Sequence, residues 1–276
     1  MATNPWVGGL SAAEVKHLWW FIVDGGIMAV DVRHHLWGSW GFCPRHTWAH
    51  AVVEMELAGG RPFSTAILYE DLTGRAARAM HRSRLLPWAL RRRKLRARQV
   101  CLTCDYCLIA RQVSEPLVAG LQGRVNRLAR MREALAATRA LWEGRACPVC
   151  TGRAGVPCRP HLLTGEAGGG LESLDAYLFG LQRRLYQFVR SMTWKGPTAT
   201  PEDVVSWVEA LGWFAGWEFP FWLTDREGYS GASSGPRPEA VVRAPEDDAF
   251  CGKAGDCGPG GWRIQKAGAG SGGRGT

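Results

Sequence analysis

The sequence predicts an all-α protein, an irregular helical bundle with Cys/His metal-binding turns. Three observations support this prediction. Apolar residues recur at the three- and four-residue spacings of helix faces, and no segment alternates between apolar and polar residues as a half-buried strand does. Hydrophobic residues make up 46% of the 276 residues, which excludes a wholly disordered chain. Cysteines recur in short turns with two-residue gaps, a spacing typical of metal ligands.

Start and stop signals divide the first part of the chain into four predicted helices. Ser11-Ala-Ala-Glu14 has the pattern of a capping box, Pro44 suits a first helical turn, and Ser64 is expected to cap a fourth helix. Glycine pairs follow the first and third helices and end them. The predicted helices cover about 12–23, 27–37, 44–58 and 64–80.

The second part of the chain contains three longer helical patterns. Ser114-Glu115-Pro116 begins the first, and apolar residues from Leu117 to Leu135 follow at spacings of three or four. This pattern predicts one amphipathic helix that ends near Gly144. A second predicted helix covers 174–192, and a third begins at Thr200-Pro201.

The composition separates a helical domain from a terminal tail. Residues 1–227 form the predicted metal-binding domain, either as one unit or as two similar halves, 1–100 and 101–227. Residues 228–276 are predicted to be disordered, because thirteen of these 49 residues are glycine and few are apolar. Cys251 and Cys257 lie in this tail and are interpreted as incidental.

Neither a bilayer-spanning segment nor a secretory signal is recognisable. No apolar run reaches the ~18 residues that would span a membrane, and no basic residue precedes an apolar core in residues 1–10. We therefore expect a cytoplasmic protein without a membrane partner. In a reducing compartment, closely spaced thiols more often hold metal than form disulfides.

The strongest chemical signal is Cys147-Pro-Val-Cys150, followed after seven residues by Cys158-Arg-Pro-His161. Zinc prefers four such donors in a tetrahedron, and each two-residue gap lets one turn present two of them. The sequence therefore predicts a zinc site formed by Cys147, Cys150, Cys158 and His161. A closed shell of four protein ligands is typical of structural rather than catalytic zinc.

A second, weaker set contains Cys43, His46, Cys101 and Cys104, which come together only if distant helices meet. The role of Cys107 stays open, as does a pairing of thiols from 101–107 with Cys158 and His161. That pairing is disfavoured because a straight helix between them would keep its ends about 45 Å apart. An iron–sulfur cluster is excluded locally, since the bacterial ferredoxin motif needs a fourth cysteine followed by proline.

The positive charge is concentrated in one segment. The chain carries 34 Lys and Arg against 25 Asp and Glu, a net charge of +9. Ten of the basic residues and no acidic one lie between Leu72 and Val100. Arg91, Arg92, Arg93 and Lys94 are accordingly candidates for binding nucleic acid or an acidic protein. The alternative, which the sequence favours, is a solvated basic face or a linker.

One further hypothesis concerns thiol reactivity. Arginines that lower thiol pKa values near Cys101, Cys104 or Cys107 would suit a thiol redox sensor. No Ser/His/Asp order and no Gly-rich phosphate loop is recognisable, so no enzymatic activity is predicted. The carboxylate pair Glu54-Met-Glu56 is expected to face water.

Two stretches resemble an uncharacterised bacterial family of helical proteins. They are Gly41-Phe-Cys-Pro-Arg-His46-Thr-Trp48 and Ile67-Leu-Tyr-Glu-Asp-Leu72. In this family a Cys-Pro-x-Cys motif is followed, after a helical stretch, by Gly-Phe-Cys-x-x-His. The resemblance covers about residues 5–225. It implies a zinc-type site, with a second copy of the pattern around Cys158-Arg-Pro-His161, and no established activity.

The chain departs from the family pattern at its N-terminus. Asn4-Pro5-Trp6-Val7-Gly8 stands where the first Cys-Pro-x-Cys motif is expected, so both thiols are absent. Cys43 and His46 have therefore either lost their partners or found new ones in Cys101 and Cys104.

Overall fold

Helices supply the regular secondary structure throughout the described part of the chain, which confirms the all-α prediction. The computed structural model describes Trp6 and residues 9–109, 116–152, 155–166 and 173–225. The predicted tail, 228–276, with Cys251 and Cys257, lies outside these residues. The division of residues 1–227 into two similar halves stays a prediction.

Most of the helices are short. In chain order they are α1 (Ala12–Val23), α2 (Val30–Ser39), α3 (Pro44–Leu57), α4 (Phe63–Arg82), α5 (Trp88–Arg93), α6 (Leu102–Ile109), α7 (Pro116–Val125), α8 (Ala129–Ala137), α9 (Arg139–Trp142), α10 (Pro148–Thr151), α11 (Arg159–Thr164), α12 (Leu174–Ser191), α13 (Pro201–Ala215) and α14 (Glu218–Asp225). Single 3₁₀ turns cover Gly26–Met28 and Glu143–Arg145. Among the described helices, none combines the length and the apolar character needed to cross a membrane.

Two helix starts follow their predicted capping signals. The Ser11 hydroxyl accepts a hydrogen bond from the Glu14 amide at 3.2 Å, and the Glu14 carboxylate accepts one from the Ser11 amide at 2.7 Å. Thr200 forms the same reciprocal box at the start of α13. The predicted helix over 27–37 is instead a 3₁₀ turn followed by α2, because Ala29 has extended backbone angles.

Glu54 and Glu56 are buried and accept hydrogen bonds at the starts of other helices. Glu54 and Glu56 are 2% and 3% exposed, so the expectation that they face water is wrong. Glu54 accepts hydrogen bonds from the amides of Ser64 and Thr65 at 2.6 and 2.9 Å. The start of α4 is therefore capped by a carboxylate of α3 and not by Ser64. Glu56 accepts from the Met131 amide at 3.0 Å, in the first turn of α8.

The single long helix predicted after Pro116 is wrong, because α7, α8 and α9 are separate. Leu128 has a left-handed conformation, with φ of 56°, which ends the helical path between α7 and α8. The Asn126 side chain accepts from the Leu10 amide at 2.8 Å, and the Gln122 amide group donates to the Leu10 carbonyl at 2.8 Å. These contacts hold α7 against the start of α1, and the break lets the chain turn there.

The longest helices form the centre of the core. α12 packs along α4 and against α13, and α13 also contacts α3. The predicted apolar face of α12 is buried, at Leu174, Leu178, Leu181, Leu185 and Phe188. Where α4 and α12 approach most closely, Gly74 leaves room for Gln182, which donates to Glu70 at 2.8 Å. This core carries the short helices that present the cysteines.

Replacement of Glu54 tests its role as a cap between helices. We expect Glu54→Ala to lower the free energy of unfolding by about 3 kcal/mol, because two backbone amides at the start of α4, one of them buried, lose their acceptor. The measurement is chemical denaturation followed by circular dichroism. Glu133→Ala, at an exposed position of α8, is the control and should cost less than about 0.5 kcal/mol. Equal losses for the two variants would contradict the assignment.

Candidate metal centres

Eight predicted ligands lie in two groups of four, each with three cysteines and one histidine. We call them the 43–104 cluster (Cys43, His46, Cys101 and Cys104) and the 147–161 cluster (Cys147, Cys150, Cys158 and His161). In each cluster the four potential ligand atoms lie within 4.8 Å of one another. Both sets are therefore arranged so that each can hold a metal ion.

The 147–161 cluster is built from one short stretch of chain. His161 Nδ1 lies 3.5 Å from Cys147 Sγ, 3.4 Å from Cys150 Sγ and 3.1 Å from Cys158 Sγ. Cys150 Sγ and Cys158 Sγ are 3.8 Å apart. Cys147 and Cys158 are fully buried, whereas Cys150 and His161 are partly exposed.

The 43–104 cluster joins segments that are far apart in sequence. His46 Nδ1 lies 3.3 Å from Cys43 Sγ, 3.5 Å from Cys101 Sγ and 3.3 Å from Cys104 Sγ. Cys43 Sγ and Cys104 Sγ are 3.7 Å apart although 61 positions separate them in the chain. Cys101 and Cys104 thus complete a set of four potential ligands with Cys43 and His46.

The distances in both clusters match the edges of a zinc tetrahedron. Zinc–sulfur bonds of about 2.3 Å and zinc–nitrogen bonds of about 2.0 Å give tetrahedral edges of about 3.8 Å between sulfurs and about 3.5 Å between sulfur and nitrogen. The observed sulfur–sulfur distances are 3.7 and 3.8 Å, and the sulfur–nitrogen distances range from 3.1 to 3.5 Å. A disulfide needs about 2.05 Å between sulfurs, so these thiols are not paired in that way.

One local device presents all eight ligands. Cys43, Cys147 and Cys158 are N-cap residues of α3, α10 and α11, and Cys101 directly precedes α6, with its carbonyl accepting from the Asp105 amide at 3.0 Å. The other ligand of each pair lies three residues later, in the first helical turn. Side chains at the N-cap and the third helical position lie together, as in a capping box.

The helix starts also favour the charged form of the ligands. The first amides of a helix have no backbone acceptor, and the helix dipole is positive at this end. Thiolates are therefore stabilised at these positions. Pro44, Pro148 and Pro160 lie within the first two helical positions, where proline fixes a helical φ without the loss of a backbone hydrogen bond.

The metal-free 43–104 cluster holds one thiolate beside an imidazolium. Hydrogen bonds from Cys43 and His46 lower the pKa of Cys101 to about 3, against the effect of burial. The hydrogen bond to Cys101 raises the pKa of Cys43, as burial also does, and burial with the nearby Cys101 charge raises that of Cys104. Burial lowers the pKa of His46, but Cys101 and Glu14 outweigh it and raise the value to about 8. Three thiolates need a bound cation here.

The three thiols of the 147–161 cluster also differ in pKa. Hydrogen bonds from Cys150 and Cys158 lower the pKa of Cys147 well below its usual range. The contact with Cys147 raises the pKa of Cys150 to about 11 and raises that of Cys158 further. A coordinated divalent ion deprotonates such thiols outright.

The two histidines differ in what holds their second ring nitrogen. His46 Nε2 donates to Glu14 Oε1 at 2.9 Å, and Arg45 donates to the same oxygen at 2.7 Å. Arg45 also donates to the Gly9 carbonyl at 2.7 Å. Burial raises the pKa of Glu14, but the hydrogen bonds from His46 and Arg45 outweigh it and hold the pKa far below its usual range. A carboxylate in this position fixes the imidazole tautomer and orientation of a metal-binding histidine.

His161 has a weaker counterpart. Its Nε2 lies 3.7 Å from Glu166 Oε2, beyond hydrogen-bond distance, and the Glu166 side chain is 58% exposed. The carboxylate that orients His46 was not predicted from the sequence, because Glu14 also fits the ordinary pattern of a capping box.

Cys107 lies outside both clusters although it shares α6 with Cys104. Burial, together with the charge of Glu14, raises its pKa to about 11, which disfavours the reactive thiolate that a redox sensor needs. The alternative that pairs thiols from 101–107 with Cys158 and His161 is wrong, because these residues belong to different clusters.

His50 is buried and hydrogen-bonds to Thr65 at 2.9 Å.

The four candidate nucleic-acid contacts do not form one surface. Arg91 is only 9% exposed and its guanidinium lies 5.6 Å from the centre of the Trp88 ring. Arg92 is partly buried, whereas Arg93 and Lys94 are exposed. The prediction that all four face a polyanion is wrong for Arg91, since one side of α5 packs on the protein.

Comparisons of the chain with protein-family models, curated protein sequences and solved structures find no match. The resemblance to a bacterial family with recurring Cys-x-x-His motifs therefore stays a prediction. The geometry of the two clusters is the basis for the functional interpretation that follows.

The buried carboxylate next to His46 provides a test of metal tuning. We expect Glu14→Gln to weaken zinc binding by the 43–104 cluster about tenfold or more, because the imidazole loses its charged acceptor. Glutamine still fits a capping box, so α1 stays capped. Competition with a chromophoric chelator measures the affinity. In the matched variant Glu166→Gln, the 147–161 cluster should change less than about twofold, and a similar loss there would contradict the asymmetry.

The protonation pattern predicts a steep pH dependence at the 43–104 cluster. Near neutral pH the protons of His46, Cys43 and Cys104 must leave before zinc binds, whereas Cys101 is already a thiolate. For each proton that zinc displaces, the apparent zinc affinity falls about tenfold when the pH is lowered by one unit. Three displaced protons therefore lower the affinity about a thousandfold for each unit below about pH 7.

Chelator competition over this pH range in Cys147→Ser, which disables the other cluster, measures that slope. The stoichiometric control is the number of protons released when zinc is added at constant pH. A slope of four would mean that Cys101 is protonated in the metal-free protein, and a flat profile would contradict the pattern altogether.

Proposed function

We propose that the protein binds two zinc ions and that both are structural. The observation that supports this most directly is the arrangement of eight donors in two Cys₃His groups with tetrahedral edge lengths. Soft thiolates with one imidazole are a preferred donor set of structural zinc. The sequence indicated the same two ligand sets, the 147–161 set more strongly, and left open whether one or both bind metal.

A structural role follows from the closed ligand shell. Four protein side chains complete a tetrahedron and leave no position for water or substrate, unlike catalytic zinc, which has three protein ligands. The 147–161 cluster holds helices of four and six residues, α10 and α11. Helices of this length are unstable without tertiary support, and a metal ion at their starts adds to the support that packing on the core gives them.

The proposed role is that of a helical structural or interaction module. The 43–104 cluster fixes α3 against α6, and the 147–161 cluster fixes α10 against α11. A reducing, cytoplasmic setting fits the proposal, because thiolate ligands must stay free of disulfides and oxidation. The hypotheses of nucleic-acid binding and redox sensing stay predictions.

Metal analysis of the purified protein tests the proposal. We expect two equivalents of zinc per chain without any zinc added during purification. Cys43→Ser and Cys147→Ser should each leave one equivalent, because each removes one ligand from a different cluster. Cys107→Ser, in the same helix as Cys104, is the matched control and should retain both equivalents.

Removal of zinc with a strong chelator should lower helicity and the midpoint of thermal unfolding. Ligation free energy is also folding free energy when the site forms only in the folded chain. A protein that is metal-free, fully helical and equally stable would overturn the proposal, as would loss of zinc in Cys107→Ser with retention in Cys43→Ser.

A further inference from the structure

Six exposed residues that lie close together in the chain, from 84 to 94, form a surface that is both apolar and basic. They are Arg84, Leu85, Leu86, Leu90, Arg93 and Lys94, and we call them the Leu/Arg surface. Leu85 is 90% exposed, and Leu86 and Leu90 are each 42% exposed. A single exposed leucine needs no explanation, but three close together beside three cations are typical of a binding surface.

Helix geometry places leucine and cations on one side of α5. Arg93 and Lys94 follow Leu90 by three and four residues, the spacing of side chains that share a helix face. All three are exposed. Arg91, about 100° around the helix axis from Leu90, is 9% exposed. One side of α5 therefore packs on the protein and the other presents Leu90 between two positive charges.

The segment that carries this surface is attached to the protein on both sides. The buried Ser83 donates to the Ala79 carbonyl at 2.7 Å. The Leu95 side chain is buried, and its carbonyl accepts from Arg159 Nε at 2.9 Å. The Arg98 amide donates to the Gly38 carbonyl at 2.7 Å. The leucines are thus held outward by an ordered segment with its own anchors in the core.

The cations of this surface are not neutralised by nearby carboxylates. No Asp or Glu occurs from residue 73 to residue 100. Among the described residues, the ion pairs involve other cations and leave Arg84, Arg93 and Lys94 without an acidic partner. The surface is therefore complementary to a partner that is anionic and also able to take up apolar side chains.

We infer that the Leu/Arg surface binds the anionic face of a phospholipid membrane. The leucines insert among the headgroups, and the cations lie at the level of the lipid phosphates and carboxylates. Interfacial binding of this kind combines buried apolar area with attraction of Lys and Arg to anionic lipid. Binding of this kind needs no membrane-spanning segment. The expectation of no membrane partner, drawn from the sequence, rested on the absence of such a segment.

A membrane surface and nucleic acid are both polyanions, so the cations alone do not distinguish between them. The exposed leucines do. Phosphate contacts to nucleic acid use cations and leave apolar side chains in water. A membrane interface removes those side chains from water, which is the largest favourable change available to Leu85, Leu86 and Leu90. The exposed leucines therefore favour lipid.

Vesicle binding of the full-length protein tests the inference. The probes are phosphatidylcholine vesicles with and without phosphatidylserine as about a third of the lipid. We expect binding at least about tenfold tighter to the anionic vesicles. Leu85→Ser/Leu86→Ser/Leu90→Ser and Arg84→Gln/Arg93→Gln/Lys94→Gln should each weaken it about tenfold or more. In the second variant the residual binding should also lose its salt dependence.

Matched controls change exposed residues elsewhere. Val30→Ser/Leu108→Ser/Leu117→Ser alters three positions that are each 74% exposed. Arg124→Gln/Arg127→Gln/Arg130→Gln removes the same charge from exposed positions of α7, of α8 and of the connection between them. The affinity of both variants for anionic vesicles should be within about twofold of that of the unaltered chain. Substitutions at exposed positions usually leave the fold intact. Circular dichroism and zinc content verify folding, and Leu85→Ser alone replaces the triple variant if that variant loses helicity.

Three results would overturn the inference. They are equal affinity for the two kinds of vesicle, unchanged binding of the leucine variant, and binding to a DNA duplex that is tighter than vesicle binding and is weakened by the cation variant but not by the leucine variant. The last result would assign the surface to nucleic acid. None of them bears on the zinc stoichiometry, so this inference and the proposed function fail independently.

Discussion

Electrostatic repulsion between thiolates limits how closely the helix starts that carry the cysteines can converge. Each cluster gathers three sulfurs and one imidazole at two helix N-termini, and the metal-free electrostatics permit one easily ionised thiol in each. Helix dipoles and free amides favour negative charge there. A divalent cation removes the remaining repulsion. Metal binding and the positions of α3, α6, α10 and α11 therefore depend on each other.

The two clusters apply this constraint over different distances along the chain. The 147–161 cluster closes a short local loop, whereas the 43–104 cluster joins residues 61 positions apart. Closure of the longer loop costs more entropy. The longer-range cluster also has the better-supported histidine, held by Glu14, which Arg45 and the Ser11 amide hold in turn. We therefore expect the 43–104 cluster to contribute more to the tertiary arrangement.

Three of the buried carboxylates share one role in this helical protein. Glu14, Glu54 and Glu56 each accept hydrogen bonds from backbone amides at helix starts, and Glu14 also orients a ligand. An interior made of many short helices contains many unpaired amides, and each one is costly without an acceptor. These acceptors come from neighbouring helices as well as from the local sequence, which makes them hard to recognise in a linear pattern.

Features that depend on neighbouring residues were predictable from the amino-acid sequence. Capping boxes and prolines set the starts of α1, α3 and α13, the apolar spacing identified the buried face of α12, and the Cys-x-x-Cys and Cys-x-x-His gaps identified the eight ligands. The tertiary structure decided what depends on residues far apart in the chain. Examples are the break at Leu128, the partners of Cys43 and the burial of Arg91 and Glu54. Local signals act within one helical turn, whereas these features depend on which helices pack together, and spacing along a sequence does not carry that information.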